Sequence, residues 1–477
     1  MLYGAAFFAM IWPGLWNGQY FWFHDSLAYL SGGQQAVNLV WPFASALGDA
    51  LATTRIGIAA EFAEISGGAK DTVAGGRSVY YGALIFLTGA IGTLWLGVAL
   101  QTLLLMAVIH IALWPVLARQ CFAIPIVMIF VGVATAASFF TVYLMPDIFA
   151  PIAILASASL IAFWQNHSVP ARIFLTVAVA LSCMFHNSHI LLVFLILVIS
   201  AAVQVFSRIP DFMRSASVIA ASIIIGLGAI VATSIATERN LGKRLASPPF
   251  LTARVLADGP GVAYLADSCP NSGFVLCARL DHLPVDSDTF LWSTDPERGI
   301  YKSLSFPERE ALRDEQVRFV IGAVSFAPEE QILASTGNFM SQLVMFDVTE
   351  FAYSPGLLAD LSARLPKDIA GKAQESRLGR SVFDLAAVSR AQLGIVIIAM
   401  AGLLLVFANP TLRNSVFTPN APKGLGLFAF LIIFGIVANA AVTGILSTPH
   451  DRYAARVIWL LPLLAAVLFL TTRKETP

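Results

Sequence analysis

The stretch "FWFHDSLAYLSGG" (21–33) sets His24 and Asp25 against Tyr20, Phe21, Trp22 and Phe23, with Tyr29 one turn further on. Aromatic surroundings that partly exclude water lift a carboxylate's pKa toward the range in which it accepts a hydroxyl proton. Asp25 is therefore the candidate general base; its plainer role is an N-cap ahead of "SLAYLSGGQQAV". Asp147, in "YLMPDIFAPI", is a second candidate carboxylate, also suited to capping, behind the sharp turn at Pro146. "FHNSH" supplies His186, Asn187 and His189, which either position a polar substrate or only hydrogen-bond at an interface. "TPHDRYAAR" adds Asp451, Arg452, Tyr453 and Arg456. Arginine grips phosphate in a bidentate fork, although Arg and Tyr also anchor spans at the interface. Two carboxylates with several cations suit a phosphorylated, membrane-held substrate.

The elements that must position these residues are membrane helices. The 477 residues are 57% hydrophobic and 12% charged, with a mean hydropathy of +0.77, far from a soluble globular average. The 29 basic and 29 acidic residues cancel, which removes any general electrostatic case for nucleic acid. Spans need roughly 20 mostly apolar residues. Such runs lie at about 2–17, 94–117, 122–144, 148–165, 171–187, 188–206, 216–237, 391–408, 425–446 and 454–472. The first lacks a charged start and a small-residue cleavage site, so it reads as a retained anchor. The brief run 79–92 suits an interfacial helix or the start of an overlong span. The class expected is an all-α polytopic membrane protein, with an N-terminal transmembrane module (1–237, its catalytic loop at 18–93), a soluble segment (238–390) and a C-terminal module (391–477).

Orientation follows from the loop charges. With the N-terminus in the cytoplasm, the inside loops hold Arg119, Arg172, Arg208 with Arg214, and Arg413 with Lys423, and the C-terminal tail adds Arg473 and Lys474. The outside hairpins between spans 3 and 4 and between spans 5 and 6 hold no Lys or Arg, although Arg55, Lys70, Arg77, Arg452 and Arg456 also fall on that face. All the candidate residues, and 238–390, then share the non-cytoplasmic side, expected to be the periplasm beyond a bacterial inner membrane. Within 238–390, Pro307 and Pro328 open two helical stretches, and the segment reads as a mainly helical cap between spans 7 and 8. Cys269 and Cys277, eight positions apart across Pro and Gly, make a credible disulfide in an oxidising compartment.

No Walker loop, no GxGxxG after a strand and no zinc-type cysteine spacing is present. The order of features instead resembles the GT-C glycosyltransferases, polytopic enzymes that use polyprenyl-phosphate sugars, such as protein mannosyltransferases and the lipid A aminoarabinose transferase. That family carries an acidic residue shortly after span 1, as at Asp25, and a second near the outer end of span 3, as at Asp147. Its interfacial-helix pattern is similar to "GRSVYYGALIFLTGAIGTLWLG", through Arg77, Tyr80, Tyr81, Gly92 and Trp95. Its "RYxxPxxP" entry to the last span is similar to "DRYAARVIWLLPLLA", at Arg452, Tyr453 and Pro462. The resemblance covers about 1–206 and, loosely, the last span.

It implies an inverting transfer from a polyprenyl-phosphate sugar to a hydroxyl of a lipid, glycan or protein acceptor. Asp25 would act as base, phosphate would lie near Arg77, Arg452 or Arg456, and Asp147 with the His186/His189 turn would position sugar or acceptor. No cofactor is expected; this chain departs from the family in having no acidic pair around Asp25, which weakens the case for a divalent metal. The family's Pro after the arginine is replaced by Ser78 and Val79, and the soluble segment sits between spans 7 and 8 rather than after the last span. Two other classes fit the same chain: a transporter of lipid-linked material, and a catalytically silent scaffold that binds a polysaccharide-assembly partner in the cell envelope through 238–390.

Overall fold

In hydrocarbon every backbone N–H and C=O must be satisfied within the protein, and a helix does this inside one segment. The computed structural model describes residues 1–40, 77–120, 122–242, 247–295, 298–416 and 423–472; Arg55, Lys70, Cys121, Arg473, Lys474 and much of the loop 18–93 lie outside them. Among the described residues every regular element is a helix. Seven helices are long and apolar enough to cross a membrane: Leu94–Leu117, Pro146–Asn166, Asn187–Phe206, Phe212–Asn240, Leu385–Ala408, Leu425–Leu446 and Asp451–Thr471. That set fits an integral, multi-pass membrane protein.

In chain order the principal helices are α1 (Leu2–Asn17), α2 (Ser26–Val40), α3 (Val79–Ile91), α4 (Leu94–Leu117), α5 (Ala123–Ala134), α6 (Phe149–Phe163), α7 (Val169–Phe185), α8 (Asn187–Phe206), α9 (Phe212–Leu241), α10 (Phe306–Phe326), α11 (Pro328–Val344), α12 (Leu385–Ala408), α13 (Leu425–Leu446), α14 (Asp451–Ile458) and α15 (Leu460–Thr472). Polar residues at run ends start several of them. Ser78, Thr93, Ser168 and Asp384 each accept a backbone N–H from the first turn of the helix that follows.

The apolar run 122–144 does not form one span. Its helix α5 ends at Ala134, a short helix Ala137–Thr141 follows, and the chain then extends. The carbonyls freed by this break are recaptured: the Gln101 amide donates to Thr141 O (2.6 Å) and Tyr143 O (3.0 Å). Phe21 N–H donates to Val142 O (2.8 Å), and Leu144 N–H returns a bond to Phe21 O (3.0 Å). The run 79–92 is a separate helix, α3, because Thr93 starts α4 anew. It lies on α2 at a backbone-to-backbone approach that only glycine permits: a Cβ on Gly33 would fall 2.0 Å from the Gly82 carbonyl carbon.

Two apolar cores form. The larger runs through the bundle and takes in Val348, Phe351, Leu361 and Leu378 from the chain that follows α11. The smaller, around Leu256, Leu265, Phe290, Leu312 and Phe319, belongs to the residues between α9 and α11. The disulfide Cys269–Cys277 is formed there, with a Cα–Cα separation of 5.5 Å. His450 ties the two bodies, its Nε2 2.9 Å from Asp288 Oδ2 and its Nδ1 3.4 Å from Glu350 Oε1. Burial opposes a charge on this imidazole, but the hydrogen bonds to Asp288 and Glu350 outweigh it and hold His450 up at about 10.

Candidate functional site

An extended segment, not a helix, presents the first carboxylate. Phe21 is paired to Val142 and Leu144, Trp22 N–H donates to Tyr353 Oη (2.9 Å), and Phe23 N–H donates to Ser26 Oγ (2.9 Å). This fixes Asp25 immediately before α2, where its Oδ1 accepts from Arg77 Nη2 at 2.6 Å. Arg77 precedes α3, and its neighbour Ser78 is anchored by donating to Met184 O (2.7 Å). Burial works against the Arg77 charge, while Asp25 beside it raises its pKa above the ordinary arginine value. The Arg77 guanidinium also lies 5.2 Å from the Trp292 ring centroid, so the smaller body overhangs this pair.

Asp147 opens the helical stretch that becomes α6. It is 3% exposed, and its Oδ1 accepts from Arg456 Nη1 at 3.2 Å. Arg456, 1% exposed, also donates from Nε (3.2 Å) and Nη2 (2.9 Å) to Asn439 Oδ1, while Asn439 Nδ2 donates to Tyr453 O (2.7 Å).

One turn earlier on α14, Arg452 stacks 4.3 Å from the Phe23 ring and 4.9 Å from Tyr453, and its Nη2 donates to Tyr453 Oη (3.2 Å). Among the described residues no carboxylate lies within ion-pairing distance of it. Its Nη1 is buried without a hydrogen-bond partner, as is Arg77 Nε. Three guanidinium groups thus meet two carboxylates, leaving one positive charge in excess and two buried N–H donors unspent.

Tyr29 and Tyr81 close the inner wall, with rings 5.3 Å apart, and burial pushes the Tyr29 hydroxyl well above its usual pKa. In the turn between α7 and α8, His186 caps α8 by accepting from Ser188 N–H at Nδ1 (3.2 Å). Burial, and then Arg456, Arg77 and Arg452, push His186 down to about 3, so the ring is neutral at physiological pH. The rings of His186 and His189 lie 5.0 Å apart. His189 Nδ1 donates to Ser182 O (3.0 Å), and its Nε2 is buried and unpartnered.

The structure thus gathers Asp25, Arg77, Tyr29, Tyr81, Asp147, His186, His189, Arg452, Tyr453 and Arg456 around the starts of α2, α3, α6, α8 and α14. Four candidates turn elsewhere. Tyr80 Oη donates to Ala229 O (3.1 Å) on α9, and Asn187 is exposed on the first turn of α8. His24 Nε2 meets Ser354 Oγ at 3.4 Å. Asp451 accepts from Asp347 N–H (2.9 Å) and serves as a tie to the chain after α11. Asn439 and Trp292 join the site unannounced. Asn439 had a signal: it is a polar side chain inside an apolar span, where such groups usually carry function or glue. Among the described residues no group of three or more His, Cys, Asp or Glu could hold a metal ion.

The fold and this cluster define an integral membrane protein with a buried, cation-rich polar site where several helices begin. No family model, curated protein or solved structure matches the chain.

Proposed function

We propose that the protein is an extracytoplasmic, GT-C-like membrane glycosyltransferase that moves a sugar from a polyprenyl-phosphate donor to a hydroxyl of a lipid, glycan or protein acceptor. The observation that carries this reading is the unspent Nη1 of Arg452, a guanidinium with no carboxylate partner among the described residues. A buried donor without a partner costs about 1–3 kcal/mol, and a phosphate oxygen is the acceptor that suits a guanidinium best. The lipid phosphate lies against Arg452 and draws Arg77 away from Asp25. Once released, Asp25 accepts the proton of the acceptor hydroxyl as that oxygen attacks the anomeric carbon from the opposite face. The bond between the anomeric carbon and the phosphate oxygen breaks, its electron pair goes to the leaving polyprenyl phosphate, and the arginines stabilise the new charge. His186, neutral, orients sugar or acceptor through hydrogen bonds.

A second reading draws on the 2.6 Å Asp25–Arg77 contact. A carboxylate already closed in an ion pair suits a silent scaffold that only binds lipid phosphate. Transfer of labelled sugar from a polyprenyl-phosphate donor by purified protein in nanodiscs separates the two. The transferase reading expects a folded Asp25→Asn variant to lose about 10²–10⁴ in rate, the usual worth of a general base. Wild-type turnover in that variant, or binding of polyprenyl phosphate with no transfer by any form, overturns it.

A further inference from the structure

The helix α11 has its polarity reversed. A water-facing helix turns its apolar stripe inward and its polar side chains outward. In α11, Gln331 (8% exposed) and Gln342 (0%) point inward, whereas Leu333 (74%) and Val344 (72%) point out, with Ile332 and Met340 exposed on the same stripe. The inward amide N–H groups are engaged. Gln331 and Asn338 donate to Asp258 (2.7 and 2.9 Å), and Gln342 donates to His450 O (2.8 Å) and accepts from His450 N–H (3.0 Å). Arg254 completes this network by pairing with Asp258. From 331 to 344 the helix contains no charged residue.

Its neighbours define what the apolar stripe meets. The inner side of α11 packs closely on the spanning helix α13, where a Cβ on Gly444 would fall 2.8 Å from Asn338 O. That span itself exposes Phe430, Val437 and Leu446. On the other flank, the last turns of α10 (319–326) are free of charge and end on the exposed Phe326, and Ile321 lies within them. The charges of α10 lie between Glu308 and Arg318, ahead of its last eight residues. Exposed apolar side chains are therefore found on the spanning helix α13, on α11 packed beside it and on the last turns of α10.

We propose that the α10–α11 hairpin is a bilayer-contacting surface: α11 lies against the lipid beside α13, with Ile332, Leu333, Met340 and Val344 among the acyl chains. The exposed Glu329 and Glu330 of its first turn stay with headgroups and water, as for a helix lying in the interface. The inference does not depend on the transfer chemistry.

The test uses the full-length protein in phosphatidylcholine nanodiscs, with Cys121 and Cys183 replaced by Ser and the disulfide kept. Single cysteines at Leu333 and Val344 carry nitroxide labels, and a water-facing control label sits at Ala311. Collision with oxygen is compared with collision with a water-soluble nickel chelate. Lipid contact makes oxygen the stronger relaxant at 333 and 344, with the order reversed at 311. Nickel dominance at 333 and 344 would put the stripe in water and overturn the proposal. Inaccessibility to both reagents would mean that a second copy or another protein covers the face, and overturns it as well.

Discussion

Removing one partner of the Asp147–Arg456 pair is expected to cost far more than removing both. The pair is 3.2 Å apart with both side chains essentially sealed from solvent. At an effective dielectric of about 20, their attraction is roughly 5 kcal/mol, most of it offset by the cost of desolvating the two charges. Arg456→Met keeps volume but leaves the Asp147 carboxylate buried and unpaired. It also strands Asn439 Oδ1, which now accepts twice from this guanidinium. The expected loss is about 3–5 kcal/mol, and Asp147→Asn, which strands the guanidinium, should cost a similar amount. The double variant contains neither charge, and the amide introduced at position 147 is left to pair with that of Asn439. Its loss should be smaller than that of either single variant, giving a coupling of about 3 kcal/mol or more in the cycle. Reversible SDS unfolding in mixed micelles, followed by tryptophan fluorescence, reads all four corners. Losses that simply add would show that the two charges do not sense each other and would refute the geometry.

Gly33→Ala should destabilise the protein by about 1–3 kcal/mol or more, because its Cβ meets backbone that cannot yield. The control Gly32→Ala has only Val79 Cγ1 at 3.9 Å and should be close to neutral in the same unfolding assay. For His450, a folded-state value of about 10 against an ordinary 6.5 means that the protonated form is the one stabilised. Its contribution is complete below about pH 6.5 and is lost as pH rises to about 10. His450→Gln should therefore lower the unfolding midpoint at pH 6 and make no difference at pH 10; a pH-independent cost would contradict the ion-pair account.

The two helices α4 and α13 were legible to the residue, because each is a long apolar run whose boundary is set by a capping or turn residue, Thr93 or Gly424. The break after Ala134 was not. The residues 136–145 are as apolar as a span, and hydropathy reports burial rather than backbone path. The chain beyond the break is held by partners distant in sequence, Phe21 and the Gln101 amide. The site was half legible on the same grounds. Asp25, Arg77, Asp147, Arg452 and Arg456 stood out as costly groups at span ends. Which cation meets which carboxylate depends on packing, so the Asp25–Arg77 and Asp147–Arg456 pairings could be read only from the structure.

The pinning of the Asp25 segment has a consequence for biogenesis. Trp22 N–H is held by Tyr353, 331 positions later, and Asn17 Oδ1 accepts from the backbone of Leu378, 361 positions later. At a synthesis rate of about 5–20 residues per second, those partners leave the ribosome roughly 20–70 s after the segment they hold. The Asp25 segment is thus pinned only after more than 300 further residues have been made. While the intervening helices are being inserted, Asp25 and its aromatic neighbours face the translocation machinery without the chain that later covers them. Because α14, which supplies Arg452 and Arg456, follows these partners in the chain, the site is completed only with the last helices of the bundle.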